Sequence, residues 1–326
     1  MNIYFSNFVP MMKKIFTITA IIMLLISCDM IETLPERIVL DEKATYEEVY
    51  NAVATPLKQG ETKLKLTLPA EPSDQMFKAI RRALLETEEV ADGSIDMTLH
   101  GVNVIGENAF GYHADLNNES VYELKSVTLP DAVEIKRYAF FDCRELCSFY
   151  APKAKTIGVN AFVLCEKLTQ IDLPKAEIIQ RGALQKAREL TRICLPELRT
   201  ISAGMFGGCD RLETVVLPKV TRIEERAFEA CMDLKTIVFA SPIESIDREV
   251  FYTHDEQNNH NTAHVDLVLS SQQRRMISTS DDDSTPNAGM WHASGERFDF
   301  HDDEFAGYRF NSIRPYEEYE SNNTGF

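Results

Sequence analysis

Basic residues are scarce in this chain relative to acidic ones. Its 326 residues include 34 Lys and Arg against 51 Asp and Glu, which gives a formal net charge of −17 at pH 7. Binding to nucleic acid or to an anionic lipid surface needs clustered cations that neutralise phosphates. The composition therefore argues against both kinds of partner. We expect a monomer, because like charge keeps its copies apart.

The usual local signatures of catalysis and metal binding are also missing. The sequence contains no H-E-x-x-H, no G-x-S-x-G, no P-loop and no G-x-G-x-x-G. One polar loop holds four ligand-type residues, His254, Asp255, His260 and His264. Their spacing matches no common zinc motif, although a zinc site there stays an alternative. The acidic runs 281–283 and 301–304 lack the spaced ligands and glycine of a calcium loop. We therefore expect no enzyme activity, no cofactor and no metal.

A predominantly apolar run at residues 15–26 is too short to span a membrane. It follows Lys13 and Lys14, and a basic start before such a run is typical of a secretory signal. The letters LISC at 25–28 resemble a bacterial lipobox, which implies cleavage after residue 27 and lipid attachment at Cys28. The alternatives are an ordinary signal with a chance cysteine, or an uncleaved anchor.

A lipidated Cys28 would make this an exported protein whose polypeptide lies in water while acyl chains hold it at the envelope. We expect it at the outer membrane with its surface exposed to the outside. The opposite orientation, towards the periplasm, stays open.

A period of 22 residues runs through the middle of the chain. Prolines recur with this step at positions 130, 152, 174, 196 and 218. Other columns with the same step are Leu146, Leu168, Leu190, Leu212 and Leu234; Val127, Phe149, Ile171, Ile193, Val215 and Ile237; and Ile135, Ile157, Ile179, Ile201 and Ile223. The pair Ala-Phe recurs at 139–140, 161–162 and 227–228. Independent columns that share one period indicate a repeat architecture.

Each unit has the form L-x-x-I-x-L-P-x-x-x-x-I-x-x-x-A-F-x-x-C. The L-x-x-I-x-L part predicts a short strand with alternate residues inward. One such strand cannot bury its apolar side alone, so successive units must stack around a shared core. A proline at one fixed height in each coil then ends the resulting parallel sheet along a line, because it has no N–H for the ladder.

These motifs resemble the BspA-like class of leucine-rich repeats. The resemblance is carried by IGENAF (105–110), IGVNAFVLCEKLTQIDLP (157–174) and IEERAFEACMDLKTIVF (223–239), and it spans about 95–270. It implies an α/β leucine-rich-repeat solenoid of stacked short parallel strands. Members of this class are common on bacterial cell surfaces and are associated with adhesion to host matrix proteins and with cell–cell contact.

The segments outside the period divide the chain further. We predict a signal peptide at 1–27, an α/β N-terminal cap at 28–94, the solenoid at 95–270 and an irregular C-terminal cap at 271–326. The N-terminal cap reads as a helix at 45–57, a strand at 62–69 and a helix at 73–87 with Ser73 as its N-cap. An insertion of eight residues is expected around 111–120.

Four cysteines share one column of the repeat, Cys143, Cys165, Cys209 and Cys231, with Ala187 in the gap. Stacked side chains are parallel and do not converge as tetrahedral ligands must. Because alanine substitutes in the column, we interpret it as a buried, reduced packing ladder. Disulfides between adjacent coils are the alternative for an exported protein. Cys147 and Cys194 fall in exposed columns.

The outward side of the strands is the candidate binding surface. The alternation of each strand points Tyr150, Asp172 and Arg192 outward, together with Cys194, Val216 and Val238. Tyrosine and arginine are common binding anchors. The leading hypothesis is a non-enzymatic module that binds an unknown protein or glycan, of host origin if the family resemblance holds. The alternative is a structural or assembly lipoprotein that faces the periplasm.

Overall fold

The computed structural model describes residues 38–87, 89–111, 121–253, 262, 264–278 and 290–322. The chain divides after Ile38, and the architecture below is that of the unit from Val39 onward. The signal segment with Cys28, the insertion at 112–120, the loop residues His254, Asp255 and His260, and the acidic run 281–283 lie outside the described residues.

Each coil contributes one strand to the sheets that we call the front sheets. The first block of the front sheets has the order β1-β2-β3-β5-β7-β9, and the second has the order β11-β13-β15-β17-β22. These strands are β1 (Ile38–Val39), β2 (Lys63–Thr67), β3 (Ile95–His100), β5 (Leu124–Thr128), β7 (Ser148–Tyr150), β9 (Gln170–Asp172), β11 (Arg192–Cys194), β13 (Thr214–Val216), β15 (Thr236–Val238), β17 (Asp266–Leu269) and β22 (Ser312–Pro315). Successive coils pair in parallel, which confirms the predicted sheet.

A second strand of two residues in each coil builds the back sheets, which β18 and β19 of the C-terminal segment extend; the orders are β10-β8-β6-β4 and β12-β14-β16-β19-β18. These strands are β4 (Val104–Ile105), β6 (Glu134–Ile135), β8 (Thr156–Ile157), β10 (Ile178–Ile179), β12 (Thr200–Ile201), β14 (Arg222–Ile223), β16 (Ser245–Ile246), β18 (Arg274–Ser278) and β19 (Trp291–Arg297). β19 is antiparallel to both β16 and β18. The sequence indicated the inward isoleucine of these strands but not the strands themselves.

The prolines end the front sheets as predicted. In four coils the residue just before the proline donates the last hydrogen bond of the strand; these residues are Leu129, Ala151, Leu195 and Leu217. Leu129 N–H bonds the carbonyl of Tyr150 at 2.8 Å, and Leu195 N–H bonds that of Val216 at 3.1 Å. The proline that follows has no N–H, so the chain turns there towards the back sheet.

The core of the solenoid is a ladder of phenylalanine rings from the Ala-Phe pairs. Phe110, Phe140 and Phe162 stack with centroid distances of 5.2 and 5.3 Å, and all three are buried. A second run of stacked rings joins Phe206, Phe228 and Phe251 at 5.4 Å per step. Leu184 stands between the two runs and is equally buried.

The front sheets and the back sheets are both interrupted beside the coil in which Leu184 interrupts the stacked phenylalanine rings. β9 and β11 belong to different sheets, and so do β10 and β12. The two blocks are joined instead by hydrogen bonds between the turns that carry the Ala-Phe pairs or their equivalents, which we call the Ala-Phe turns. Leu184 N–H bonds the carbonyl of Met205 at 3.1 Å, and Gly182 N–H bonds that of Ala203 at 3.0 Å. The solenoid is therefore one stack with a seam beside the coil of Leu184.

Several exposed ion pairs join residues of opposite sign on adjacent coils. Lys167 pairs with Glu145, Arg211 with Glu189, and Lys219 with Glu197, each pair being 22 residues apart. The acids in this chain are thus placed beside bases of the adjacent coil. Such exposed pairs contribute little individually to stability.

The N-terminal segment forms α1 (Tyr46–Lys58), β2 and α2 (Asp74–Leu85), close to the predicted bounds. Ser73 is the N-cap of α2, as predicted, and its hydroxyl accepts the N–H of Met76. Thr45 caps α1 in a capping box with Glu48. β2 extends the front sheet beside β3, and Phe77 of α2 meets Phe110 edge-on at 5.8 Å.

The C-terminal segment has three parts with different positions. β18 and β19 extend the back sheet, the hairpin of β20 (Glu304–Phe305) and β21 (Tyr308–Arg309) places Tyr308 against Phe251, and β22 extends the front sheet. The chain then turns at Pro315 into a short helix, α3 (Tyr316–Asn322). The sequence predicted a cap without these elements.

Hydrogen bonds between coils have one direction at the Ala-Phe turns. Each coil donates its N–H groups to the carbonyls of the next coil, as Phe110 does to Ala139 and Phe140 to Ala161. The carbonyls of the first coil at these turns therefore have no preceding coil to bond them, and the equivalent N–H groups of the last coil have no following coil. A buried backbone N–H or C=O group without a hydrogen-bond partner costs free energy. The first coil therefore needs hydrogen-bond donors from outside the stack, and the last coil needs acceptors.

Side chains of the flanking segments supply that chemistry. At the first coil the guanidinium of Arg81, 5% exposed, donates to the carbonyls of Asn108 and Ala109, the latter at 3.1 Å. At the last coil the hydroxyl of Tyr308 accepts the N–H of Val250 at 3.0 Å. Burial raises the pKa of Tyr308, so this group stays a neutral hydroxyl over the range in which proteins are stable.

Replacement of Arg81 tests the role of this donor. We expect Arg81→Met to lower the free energy of unfolding by about 2–3 kcal/mol, because it removes a charged donor from two buried carbonyls. The measurement is urea unfolding followed by circular dichroism. Arg82→Met is the matched control, since Arg82 is exposed and pairs with Glu86 along its own helix. Equal unfolding midpoints for the two variants would show that the cap does not depend on Arg81.

Candidate binding face

The outward side of the front sheets carries two columns of side chains. The first column is Asp96, Ser126, Ser148, Gln170, Arg192, Thr214, Thr236 and Asp266. The second column is Thr98, Thr128, Tyr150, Asp172, Cys194, Val216, Val238 and Val268. We call this two-column surface the front face. Both columns follow from the alternation of each strand combined with the parallel register.

The half of the front face formed by β3 to β9 is open and polar. Tyr150 is 44% exposed and stands in register with Asp172 of the next coil. Ser126 donates to Asp96 at 2.6 Å, so these two neighbours are already bonded to each other. The structure therefore brings two of the three predicted binding residues together, an aromatic ring and a carboxylate on adjacent strands.

The half formed by β13 to β17 is covered. Val216, Val238 and Val268 are 8%, 0% and 0% exposed, and they pack with Tyr316 and Tyr319 of α3. The sequence prediction that Val216 and Val238 belong to an open surface is wrong. Both point outward as predicted, but β22 returns the chain to the front sheet and α3 folds over it.

Arg192 lies at the border between the two halves. It is exposed on β11 and acts electrostatically on Tyr319 of α3. Burial raises the pKa of Tyr319, and the cations Arg192 and Arg314 offset part of that rise. Arg192 thus belongs with the covered half rather than with Tyr150 and Asp172, which the sequence could not show because α3 is remote in the chain.

Three cysteines of the column, Cys143, Cys165 and Cys209, are buried in the core, as the packing interpretation predicts, and Cys231 is half-buried. The thiols of Cys143, Cys165, Cys209 and Cys231 donate to carbonyls of the preceding coil at 3.1–3.4 Å. Burial raises the pKa of all four, that of Cys209 to about 12, so they are held as neutral thiols. Cys194 is exposed, and Cys147 is half-buried.

The described residues show no group of three His, Cys, Asp or Glu side chains that could hold a metal ion. His264 is exposed in a turn, and residues 301–304 are exposed as well. In the part of the chain that the structure describes, no helix is long and apolar enough to cross a membrane.

Comparisons with known proteins agree with this architecture. The model of the BspA type leucine rich repeat region matches residues 133–258 in six copies. A search of curated proteins found no match. The chain is thus similar to the predicted family over its repeats, where the strands β6 to β16 lie.

Solved structures of bacterial leucine-rich repeat proteins are also similar to the chain. One is the T. pallidum leucine rich repeat protein, with 28% identity, 39% of this chain and 67% of that chain covered, and a TM-score of 0.35. Another is a leucine rich cell surface protein from Faecalibacterium prausnitzii A2-165, with 23% identity, 53% and 60% covered, and a TM-score of 0.37. A third is a leucine-rich repeat protein from Bacteroides ovatus ATCC 8483, with 15% identity, 74% and 82% covered, and a TM-score of 0.20. The chain spans less than two thirds of the F. prausnitzii protein.

Proposed function

We propose, from the fact that residues 133–258 are BspA-type leucine-rich repeats, that this protein is a non-enzymatic binding module of the cell envelope. Solenoids of this kind use extended surfaces to bind partners. The partner is a protein or a glycan outside the cell, and the role is adhesion. Acyl chains on Cys28 hold the module at the outer membrane as a monomer.

The observation that carries this proposal is the open half of the front face. Tyr150 is the large aromatic side chain exposed there, and the carboxylate of Asp172 stands beside it. An aromatic ring flanked by hydroxyls and a carboxylate suits a sugar face or a polar peptide, because it offers apolar area together with hydrogen-bond acceptors. The net charge of −17 disfavours polyanionic partners.

The binding role is tested by screening the full chain against host matrix proteins and glycans. We expect Tyr150→Ala to weaken binding to the partner found by at least about tenfold, as for a central aromatic anchor. Ile178→Ala is the matched control, because Ile178 is 54% exposed but lies on the back sheet of a neighbouring coil. Equal losses for both variants, or no loss for Tyr150→Ala, would contradict the front face as the site.

The location is tested by protease treatment of intact cells. The proposal predicts that this protein is digested while a known periplasmic lipoprotein survives in the same cells. Cys28→Ala should release the chain from the membrane fraction, because the acyl chains are its anchor. Survival of both proteins until the cells are broken would remove the premise of adhesion and favour a role inside the envelope.

A further inference from the structure

The covered half of the front face has a chemistry that the open half lacks. We call Val216, Val238 and Val268 the valine strip; they are three outward side chains in register on β13, β15 and β17. In the open half the same column carries Thr98, Thr128, Tyr150 and Asp172. Three consecutive apolar residues on the outward side of a solenoid lie outside its core, so they need another segment packed over them to be removed from water.

In the isolated chain the valine strip is covered by two tyrosines of α3. Tyr316 and Tyr319 are one helical turn apart, so they project from one side of the helix, with ring centroids 6.5 Å apart. Burial raises the pKa of both, in agreement with their position against the strip. The molecule thus shows which kind of segment fits the strip: two aromatic rings one turn apart.

Charge complements this apolar contact. Glu317, Glu318 and Glu320 surround the two tyrosines in the sequence of α3. Arg314 is in register with Val268 at one end of the valine strip and pairs with Asp266 at 3.6 Å, and Arg192 lies in the neighbouring column, opposite Thr214. Both cations lower the pKa of Tyr319, so an acidic segment that covers the strip is favoured there over a basic one.

The helix α3 is short: it has seven residues and follows directly after Pro315, the last residue of β22. Its contacts with the body of the protein include the two tyrosines and the hydrogen bond from Ser271 to Glu317 at 2.7 Å. A helix of this length does not persist in water alone, so α3 depends on the strip and not the reverse. Elements of this kind open without unfolding of the rest.

We propose that the valine strip is a docking site for a partner protein's acidic segment that carries two aromatic residues one helical turn apart, and that α3 closes this site until such a segment displaces it. The proposal rests on the proposed function in that it assigns the partner of the same front face. A partner that contacts Tyr150 and Asp172 in the open half and also replaces α3 gains the strip as additional apolar area, which offsets the cost of displacement.

The experiment uses the full chain purified in detergent and a fluorescent synthetic peptide of residues 315–326 as the acidic aromatic segment. Binding is measured by fluorescence anisotropy for the wild-type chain and for Tyr316→Ser with Tyr319→Ser, which frees the strip. We expect the double variant to bind the peptide at least about tenfold more tightly than the wild type, because its own helix no longer competes. A peptide with both tyrosines replaced by serine is the control ligand and should bind at least about tenfold more weakly.

Replacement of two valines tests whether the peptide binds at the valine strip. Val216→Thr with Val238→Thr, added to the double variant, should abolish the gain, since these side chains point outward and leave the core intact. Equal affinity of wild type and double variant, or a gain that survives the valine replacements, overturns the proposal. If the double variant loses its cooperative unfolding transition, Tyr319→Ser alone gives the same comparison.

The two proposals fail separately. A glycan or protein that binds wild type and double variant equally, in a manner that depends on Tyr150, supports the proposed function and overturns docking at the strip. Tight binding of the peptide to the double variant, with no external partner in the screen, supports docking and contradicts adhesion.

Discussion

No coil of this solenoid can bury its apolar side chains alone, so the whole structure depends on the stacking of successive coils. In each 22-residue unit the inward residues of the strand, the inward isoleucine and the phenylalanine (Leu184 in one coil) are buried only when a coil lies on either side. The hydrogen bonds at the Ala-Phe turns have a direction, so the two ends of the stack are chemically different. This explains why a donor, Arg81, lies at the first coil and an acceptor, the hydroxyl of Tyr308, at the last.

The seam beside Leu184 also separates the open half of the front face from the covered half. Leu184 replaces a phenylalanine and Ala187 a cysteine in one coil, and both strand ladders are divided between this coil and the next. Tyr150 and Asp172 lie on strands before the seam, and Arg192 and the valine strip lie on strands after it. The open and covered halves of the front face therefore belong to two different sheets of one stack. A partner that contacts both halves spans the seam.

The repeat columns were enough to predict the strands, the parallel stacking and the role of the prolines, because each column reports one side-chain environment several times. The packing role of the cysteine column was predictable in the same way, because Ala187 in that column indicates that the position requires a small side chain. The covering of Val216 and Val238 was not predictable in this way, since it depends on β22 joining β17 across the 42 residues between Leu269 and Ser312, which do not repeat. The valines themselves were the available signal, because outward positions in other coils carry Tyr150, Asp172 and Cys194.

The central claim is that the front face binds partners and that its covered half is closed by a detachable helix. Hydrogen–deuterium exchange of the full chain, read by peptide mass, tests this most directly. The account predicts that amides of α3 exchange at least about tenfold faster than those of β13 and β15 beneath it, because α3 opens locally while the sheet opens only with the stack. Exchange of α3 at the rate of those strands would show that the helix leaves the valine strip only on global unfolding, and would contradict the account.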